Sequence, residues 1–273
     1  MNIESMIEEY TNIGYEYADA SSKVCQDILL LKISNSSFKD NITIKGGVVM
    51  HSISNDIRRA TRDLDLDFIK YSLEDDSIKV FIDKLNHVND NVKISIIGTI
   101  KKLHHQDYDG KRVNIELLDS FGNIVNTKLD IGIHKQFDIE QDDYCFNFDI
   151  IDQCANLLIN SKEQILTEKL KSLLKLGFRS TRYKDLFDFY YLINIAGIDK
   201  KKLDNCFNIL IFNDINMKEN NITDIVRRLN EILSSERYFN MLNDPKVNWI
   251  NIPVKEVINN VMEYFNSFET IEV

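Results

Sequence analysis

The 273-residue sequence predicts an α/β (α+β) fold, with a mixed sheet in its N-terminal half and helices in its C-terminal half. A strand, a glycine turn, a helix and a second strand follow one another between residues 42 and 69. β-rich runs then continue to residue 133, and helix-type spacing of apolar residues dominates beyond 150. We therefore expect an α/β domain at 1–150 and a helical domain at 151–273.

A double glycine separates the first predicted strand from the helix that follows it. The apolar run at 42–44 predicts the strand, and the helix is predicted at 48–57. Glycine lets the backbone approach a phosphate closely, and the N–H groups and dipole of a helix N-terminus favour negative charge. Gly46 and Gly47 are therefore candidate nucleotide-binding residues.

The next predicted strand, residues 63–69, alternates between polar and apolar side chains. This alternation places Asp63, Asp65 and Asp67 on one face. Neighbouring carboxylates repel one another unless a cation lies between them, and oxygen-only ligands suit Mg²⁺ or Mn²⁺. An edge strand with one solvated face would alternate in the same way, but the adjacent glycines and arginines favour a metal site. The whole pattern indicates metal-assisted phosphoryl or nucleotidyl transfer.

Two-metal nucleotidyl transfer uses a further carboxylate on a neighbouring strand, with its side chain on the same face. Asp130 is the best candidate because it is the single acidic residue in the apolar run KLDIGI. Glu116, in NIELL, is the second candidate. His134 shares the face of Asp130 by period two, but an ordinary solvent-facing or core histidine is the preferred interpretation.

Helices and a β-meander are predicted for the rest of the N-terminal half. Apolar spacing predicts helices at 4–36 and 75–86. Three β-rich runs follow, at 93–103, 110–119 and 123–133. Turn-like segments between them, the first at 105–110, predict an antiparallel meander. His104 and His105 lack the spacing of metal ligands and are predicted to end a strand.

The C-terminal half is predicted to consist of helices. Residues 162–176 carry an apolar stripe, and Gly177 is a suitable C-cap. An aromatic helix is predicted at 183–196, and further helices near 200–210, 221–234 and 254–268.

The charge distribution limits the kinds of partner. A net charge of −10 argues against a broad nucleic-acid-binding surface. The segment 161–184 differs from the rest, because it holds seven basic and two acidic side chains. An acidic protein with one basic segment can still bind an NTP or a nucleic-acid end there.

The sequence also sets expectations about its compartment. No apolar run is long enough to span a membrane, and the N-terminus lacks the features of a signal peptide, so a cytoplasmic protein is expected. The four cysteines, Cys25, Cys145, Cys154 and Cys206, show no C-x-x-C spacing, so buried free thiols are expected.

Four segments in this order resemble the motifs of the AbiEii/AbiGii-type nucleotidyltransferase toxins, of type IV toxin–antitoxin and abortive-infection systems. They are KGGVVM, RATRDLDLDF, KLDIGI and ILTEKLKSLLKLGFRSTRYKDLFDFYYL, within about residues 42–192. The resemblance implies a nucleotidyltransferase fold of the DNA-polymerase-β type, whose helical C-terminal domain completes the active-site cleft.

The resemblance also implies roles for residues of the first three motifs. Gly46 and Gly47 match the phosphate-binding turn of the family. Asp63 and Asp65 match its catalytic metal ligands, and Asp130 would be the third.

Two positions depart from the family pattern. Val48 stands where the family usually has a small hydroxyl residue, so one hydrogen bond to a phosphate is missing. Asp67 extends the acidic series by one step and leaves the choice of metal ligands ambiguous. The pattern R-x-[S/T]-x-D-x-D, which begins at Arg59, favours Asp63 and Asp65.

The last motif implies further catalytic and nucleotide-binding residues. Lys169 matches the family's helical lysine, which would neutralise the phosphates of the NTP. Asp185 and Asp188 match its acidic positions, and Arg182 and Lys184 lie beside them. Two ordinary alternatives stay open: a solvated lysine on a basic helix face, and carboxylates paired with Arg182 and Lys184 across a helix turn.

The function implied by the resemblance is transfer of a nucleotide from an NTP to an acceptor, with Mg²⁺ or Mn²⁺ as cofactor. An RNA such as tRNA is the favoured acceptor, and an antitoxin encoded nearby is the expected protein partner. The acidic net charge fits a small-molecule or protein hydroxyl slightly better. A binding module without turnover is the remaining alternative, which the retained carboxylates and lysine disfavour.

Overall fold

The computed structural model describes residues 1–103 and 110–269. It contains two compact units, Met1–Asn160 and Ser161–Val273. The first is built on one mixed sheet with helices, and the described part of the second consists of helices and their connections. The predicted fold class is therefore confirmed. Within the described ranges, no helix combines the length and the apolar character that crossing a membrane requires.

The sheet of the first unit contains parallel and antiparallel neighbours. Its strands are β1 (Ile42–Lys45), β2 (Leu64–Phe68), β3 (Val92–Ile96), β4 (Lys101–Leu103), β5 (Gly110–Asp119), β6 (Ile124–Ile133), β7 (Gln141–Asn147) and β8 (Cys154–Asn160). The strand order is β3–β5–β6–β2–β1–β8–β7, and β4 also pairs with β5. β1 runs parallel to β8 and β2 parallel to β6, whereas the other pairs are antiparallel.

The predicted antiparallel run is present, with one change. The segment 93–103 forms two strands, β3 and β4, and both pair with β5. The second and third runs correspond to β5 and β6, which are antiparallel. The turn predicted at 105–110 lies outside the described residues except for Gly110, and so do His104 and His105.

The helices of the first unit are α1 (Ile3–Ile13), α2 (Tyr17–Ser34), α3 (Gly47–Ser54) and α4 (Asp75–Leu85). The helical region predicted at 4–36 consists of two helices, because Gly14, with a φ of 117°, ends α1. The helix predicted at 48–57 ends at Ser54, because Asn55 adopts the left-handed conformation of a C-cap with φ 50°.

The apolar face of β2 belongs to the hydrophobic core. Leu64, Leu66 and Phe68 are each 0% exposed, and the ring of Phe68 packs edge-on against Phe81 of α4 at 5.3 Å between centroids. Burying side chains of this size stabilises the fold by about 1.5–3 kcal/mol each. The same alternation leaves the acidic side chains of β2 on the opposite face of the sheet.

The sheet extends past residue 150, where we expected the strand signal to fade. β8 lies between β1 and β7, and the Thr43 hydroxyl donates a hydrogen bond of 3.1 Å to Asn160 Oδ1. Its buried residues Ala155 and Leu157 alternate regularly, but Leu158 on the other face is only half-buried. This extra apolar residue blurs the period of two, so the sequence pattern alone did not predict the strand.

The expectation of four free thiols is wrong for one pair. Cys145 of β7 and Cys154 of β8 form a disulfide, with 5.8 Å between their Cα atoms. Their pairing depends on the antiparallel contact of the two strands, which the spacing of cysteines does not reveal. Cys25 and Cys206 are free and buried as predicted, and burial raises the pKa of each thiol to about 12.

The second unit begins with the helix that the sequence predicts most clearly. Its helices are α5 (Lys162–Leu176), α6 (Lys184–Tyr191), α7 (Lys200–Phe207), α8 (Ile222–Leu233), α9 (Glu236–Leu242) and α10 (Val254–Glu269). Ser161 caps α5 by accepting a hydrogen bond from the Gln164 N–H, and Gly177 ends it with φ 58°. A π-helical turn at Leu192–Ala196 continues α6 to the predicted end. Only α9 was not predicted.

Candidate active site

The double glycine forms a tight connection between β1 and α3. Gly46 has φ 71° and ψ −138°, a conformation that favours glycine. A Cβ atom there would also lie 2.5 Å from Oδ2 of Asp65, which is closer than any real contact. The carboxylate of Asp65 therefore lies directly against the backbone of this turn.

Gly47 is confined by a different neighbour. A Cβ atom at this position would lie 2.6 Å from Oγ1 of Thr61. Thr61 belongs to the connection before β2, so the turn, this hydroxyl and the carboxylate of Asp65 form one compact group. Val48, the departure from the family pattern, is buried and offers no polar atom.

Asp65 and Asp130 occupy matching positions on adjacent parallel strands. Asp65 of β2 is the register partner of Asp130 of β6, so their side chains project from the same face of the sheet. Asp63 precedes β2 and shares the parity of Asp65. The predicted shared face is thus present for Asp65 and Asp130. We call Asp63, Asp65 and Asp130 the carboxylate cluster.

Arg112 completes this cluster, and the sequence interpretation missed it. Its Nε and Nη2 atoms donate to the two oxygens of Asp130 at 2.7 and 2.6 Å. The hydrogen bond to Asp130 raises the pKa of Arg112, and the charges of Asp130, Asp63 and Asp65 raise it further. A basic residue at an outward position of a β run was the available signal, but its partner depends on the pairing of β5 with β6.

Asp67 has a different environment from the other two aspartates of its strand. Its carboxylate is 2.6 Å from Nζ of Lys45, and both residues are buried. Lys45 is itself the register partner of Asp65 across β1 and β2. This ion pair neutralises Asp67 and favours Asp63 and Asp65 as the ligands of a metal.

Two other residues near this face, Glu116 of β5 and His134 just after β6, lie apart from the carboxylate cluster. Glu116 shares the face of Arg112 but is four residues away along β5, which corresponds to about 13 Å. His134 is 3% exposed, and its Nε2 lies 3.0 Å from Nε2 of Gln141. Burial lowers the pKa of His134. It is therefore a core histidine, in line with the preferred interpretation.

The cluster contains hard oxygen donors of the kind that Mg²⁺ and Mn²⁺ bind. Among residues 1–103 and 110–269, no group of three acidic, histidine or cysteine side chains is already arranged to hold a metal ion. Both oxygens of Asp130 are bound by Arg112. Asp63, Asp65 and Asp130 are thus suitable in chemical type for a divalent ion, but Asp130 could bind one only after Arg112 moves.

In the second unit, Lys169 of α5 is held by two carboxylates of α6. Its Nζ lies 2.5 Å from Asp185 Oδ1 and 2.9 Å from Asp188 Oδ2. Asp188 is 0% exposed and accepts a hydrogen bond of 3.1 Å from the indole of Trp249. Because Lys169 is only 8% exposed, the alternative of a solvated lysine is wrong.

The two basic residues beside this ion-pair cluster are less buried. Arg182 is exposed and precedes α6, and Lys184 is the half-buried first residue of that helix. Oδ2 of Asp185 is buried and makes no hydrogen bond with the described residues. This oxygen could accept a hydrogen bond from a bound molecule.

No curated protein matches the sequence. A solved structure, an antigenic nucleotidyltransferase-like protein from Paracoccidioides brasiliensis, is similar with 16% identity and a TM-score of 0.40, over 81% of this chain and 91% of that one. The family model described as nucleotidyl transferase AbiEii toxin, type IV TA system, matches residues 28–249. The chain therefore belongs to the AbiEii nucleotidyltransferase toxin family of type IV toxin–antitoxin systems.

Proposed function

We propose that this chain is a toxin that transfers a nucleotide from an NTP to a hydroxyl group of an RNA, with tRNA as the favoured acceptor. A cognate antitoxin, encoded nearby, would be its protein partner. The observation that carries the proposal is the contact between the Asp65 carboxylate and the Gly46 turn. It places a glycine turn suited to phosphate binding and a carboxylate suited to metal binding within one site.

The turn would hold the phosphates of the NTP. The turn leads into the N-terminus of α3, where the first N–H groups and the helix dipole favour negative charge such as that of a phosphate. Thr61, whose hydroxyl lies against Gly47, supports the turn from the other side. These residues would orient the triphosphate so that the acceptor hydroxyl, on losing its proton, attacks the α-phosphorus and pyrophosphate leaves.

Asp63 and Asp65 are the residues that would hold a divalent cation, Mg²⁺ or Mn²⁺. Such an ion would supply activation of the acceptor hydroxyl and neutralisation of the developing charge. The chain's own contribution is to orient the carboxylates: the Gly46 turn limits the position of Asp65, and the parallel pairing with β6 fixes Asp130 beside it.

Lys169 would provide positive charge for the triphosphate. Asp185 and Asp188 hold its ammonium group in place and balance its charge when no nucleotide is bound. The exposed guanidinium of Arg182 and the ammonium of Lys184 would add contacts to the nucleotide. The three basic side chains, Lys169, Arg182 and Lys184, all lie within the basic segment 161–184.

A second acceptor class has support from one observation. The net charge of −10 disfavours a long RNA footprint, and a small-molecule or protein hydroxyl would need none. The two acceptor classes use the same carboxylates and the same turn, so they differ only in the labelled product.

The test is incubation of the purified protein with total RNA and each α-labelled NTP in turn, with Mg²⁺ or Mn²⁺ and with EDTA. We expect label in RNA of tRNA size, and loss of that label with EDTA and with Asp65→Asn. Glu116→Gln, which removes the same charge from the same sheet outside the cluster, should retain activity. Label that appears only in protein or in small molecules would replace the RNA acceptor, and absence of labelled product with every NTP would overturn the proposal.

A further inference from the structure

Arg112 binds both oxygens of Asp130, the carboxylate that is expected to bind a metal ion. A guanidinium with two parallel N–H donors matches the geometry of a carboxylate, and such charge-assisted pairs are among the stronger hydrogen bonds in proteins. Both oxygens of Asp130 are occupied, at 2.7 and 2.6 Å. The register of β5 and β6 places the two residues directly opposite each other, so the pair needs no rearrangement of the backbone.

The guanidinium also compensates for a charge problem. Asp63, Asp65 and Asp130 carry three negative charges whose fields all reach Arg112, and like charges in one region disfavour one another. Arg112 interacts favourably with all three, through its hydrogen bonds to Asp130 and through the charges of Asp63 and Asp65. Arg112 therefore neutralises part of this negative charge in the absence of a ligand, as a divalent cation would.

The two partners differ in their freedom to move. The side chain of Asp130 is 8% exposed, whereas that of Arg112 is 36% exposed. The arginine can therefore swing towards solvent by rotation about its side-chain bonds while Asp130 keeps its place beside Asp65.

We propose that Arg112 is a positioning residue that occupies Asp130 until a divalent cation displaces it, so that guanidinium and metal compete for one carboxylate. The inference rests on the proposed metal-dependent function and adds a residue to it. It predicts that the nucleotide-free protein binds a divalent cation more weakly than it would without the bond between Arg112 and Asp130.

The experiment measures Mn²⁺ binding to the nucleotide-free protein by electron paramagnetic resonance, with no transfer reaction involved. Arg112→Gln should bind Mn²⁺ on the order of tenfold more tightly than wild type, and Arg112→Lys, which keeps the charge but loses the two-pronged bond, should lie between them. Lys128→Gln is the matched control: Lys128 is exposed on the same face of β6, two residues from Asp130. It should change the affinity by less than about twofold.

A double-mutant cycle separates competition at Asp130 from a general charge effect. In an Asp130→Asn background, Arg112→Gln should tighten Mn²⁺ binding far less, because only the charge effect on Asp63 and Asp65 remains. Equal tightening in both backgrounds, unchanged affinity in Arg112→Gln, or no Mn²⁺ binding by any variant would each overturn the inference. Melting curves of all variants show whether each is folded. If Arg112→Gln is unfolded, Arg112→Lys takes its place in the cycle. Failure of the transfer assay with a positive cycle would reject the proposed function alone.

Discussion

The carboxylate of Asp65 lies where a side chain at Gly46 would have to be. A Cβ atom at Gly46 would approach Oδ2 of Asp65 to 2.5 Å and its Cβ to 3.3 Å. The turn and the acidic strand are therefore matched to each other: the first residue must be glycine for the second to keep its orientation.

Gly46→Ala should consequently destabilise the protein and inactivate it. Gly98 is the matched control, because its φ of 70° equals that of Gly46 within a degree and, apart from its chain neighbours, no atom of the described residues lies within 4 Å of its Cβ position. Gly98→Ala should cost about 1–2 kcal/mol from the left-handed conformation alone. Gly46→Ala should cost about 1–3 kcal/mol more from the clash, as measured by urea unfolding. Equal losses from both variants would mean that Asp65 moves aside freely.

Asp65→Asn should abolish growth inhibition when the protein is expressed in a bacterial host. Removing one carboxylate weakens the binding of a divalent cation, and we expect transfer to fall roughly 100-fold or more. The fold should persist, because the change relieves repulsion within the carboxylate cluster. Growth curves and a melting curve of the purified variant measure the two effects separately.

Three outcomes of that experiment would have different meanings. Glu116→Gln should remain toxic, which excludes a simple effect of net charge. Equal toxicity of wild type and Asp65→Asn would indicate a binding mechanism. No toxicity from either, with transfer still measurable, would favour a small-molecule or protein acceptor.

Lys169→Met should be among the most destabilising single changes in the second unit. It leaves Asp185 and Asp188 buried without the ammonium group that both contact, a situation that typically costs about 3–5 kcal/mol. Lys171→Met, on the same helix, is the control. Lys171 binds Asp214 at 2.6 Å, but these side chains are 14% and 17% exposed. Lys171→Met should therefore lower the free energy of unfolding by less than Lys169→Met does. Chemical denaturation measures both, and equal losses would contradict the special burial of the Lys169 cluster.

Ionisation of Asp214 should make the free energy of unfolding of the second unit depend on pH in the acid range. Burial alone would raise the pKa of this carboxyl, but hydrogen bonds from Lys171 and Asn216 lower it to about 2. The folded state therefore holds the proton less readily than the unfolded chain, whose aspartates titrate near pH 4. The resulting stabilisation, about 2 kcal/mol, is present above pH 4 and is lost as the pH falls towards 2.

Urea unfolding of wild type and Asp214→Asn at several pH values tests this dependence. The variant should be less stable by about 2 kcal/mol at pH 7, and the difference should shrink towards zero at pH 2. A difference that stays constant with pH would show that the carboxylate acts through packing or neutral hydrogen bonds instead.

Period-two alternation was enough to predict which face of the sheet carries the acidic residues. Asp65 and Asp130 could be assigned to one face because each is a polar residue at alternate positions in an apolar run. The alternation could not predict that Arg112 faces Asp130 or that Lys45 binds Asp67. Those pairs depend on strand order and register, which non-local contacts determine.

The same limit explains the errors at the end of the first unit. β8 pairs in parallel with β1, more than 100 residues away, and this non-local contact cannot be inferred from the pattern of β8 alone. The disulfide between Cys145 and Cys154 follows from the pairing of β7 with β8. Burial of Lys169 was missed for a similar reason, because its helix looks basic and amphipathic until the partner helix is placed.

The central location of β1 and β2 has a consequence for how such a chain can diversify. Each is hydrogen-bonded to a neighbour on both sides, so the backbone beneath Lys45 and Asp65 has no free edge at which to fray. Opening this platform would require separation of the whole sheet, as in the slowest hydrogen-exchange events. Changes in the loops and outer strands should therefore disturb the positions of Lys45 and Asp65 less than changes in β1 or β2 would.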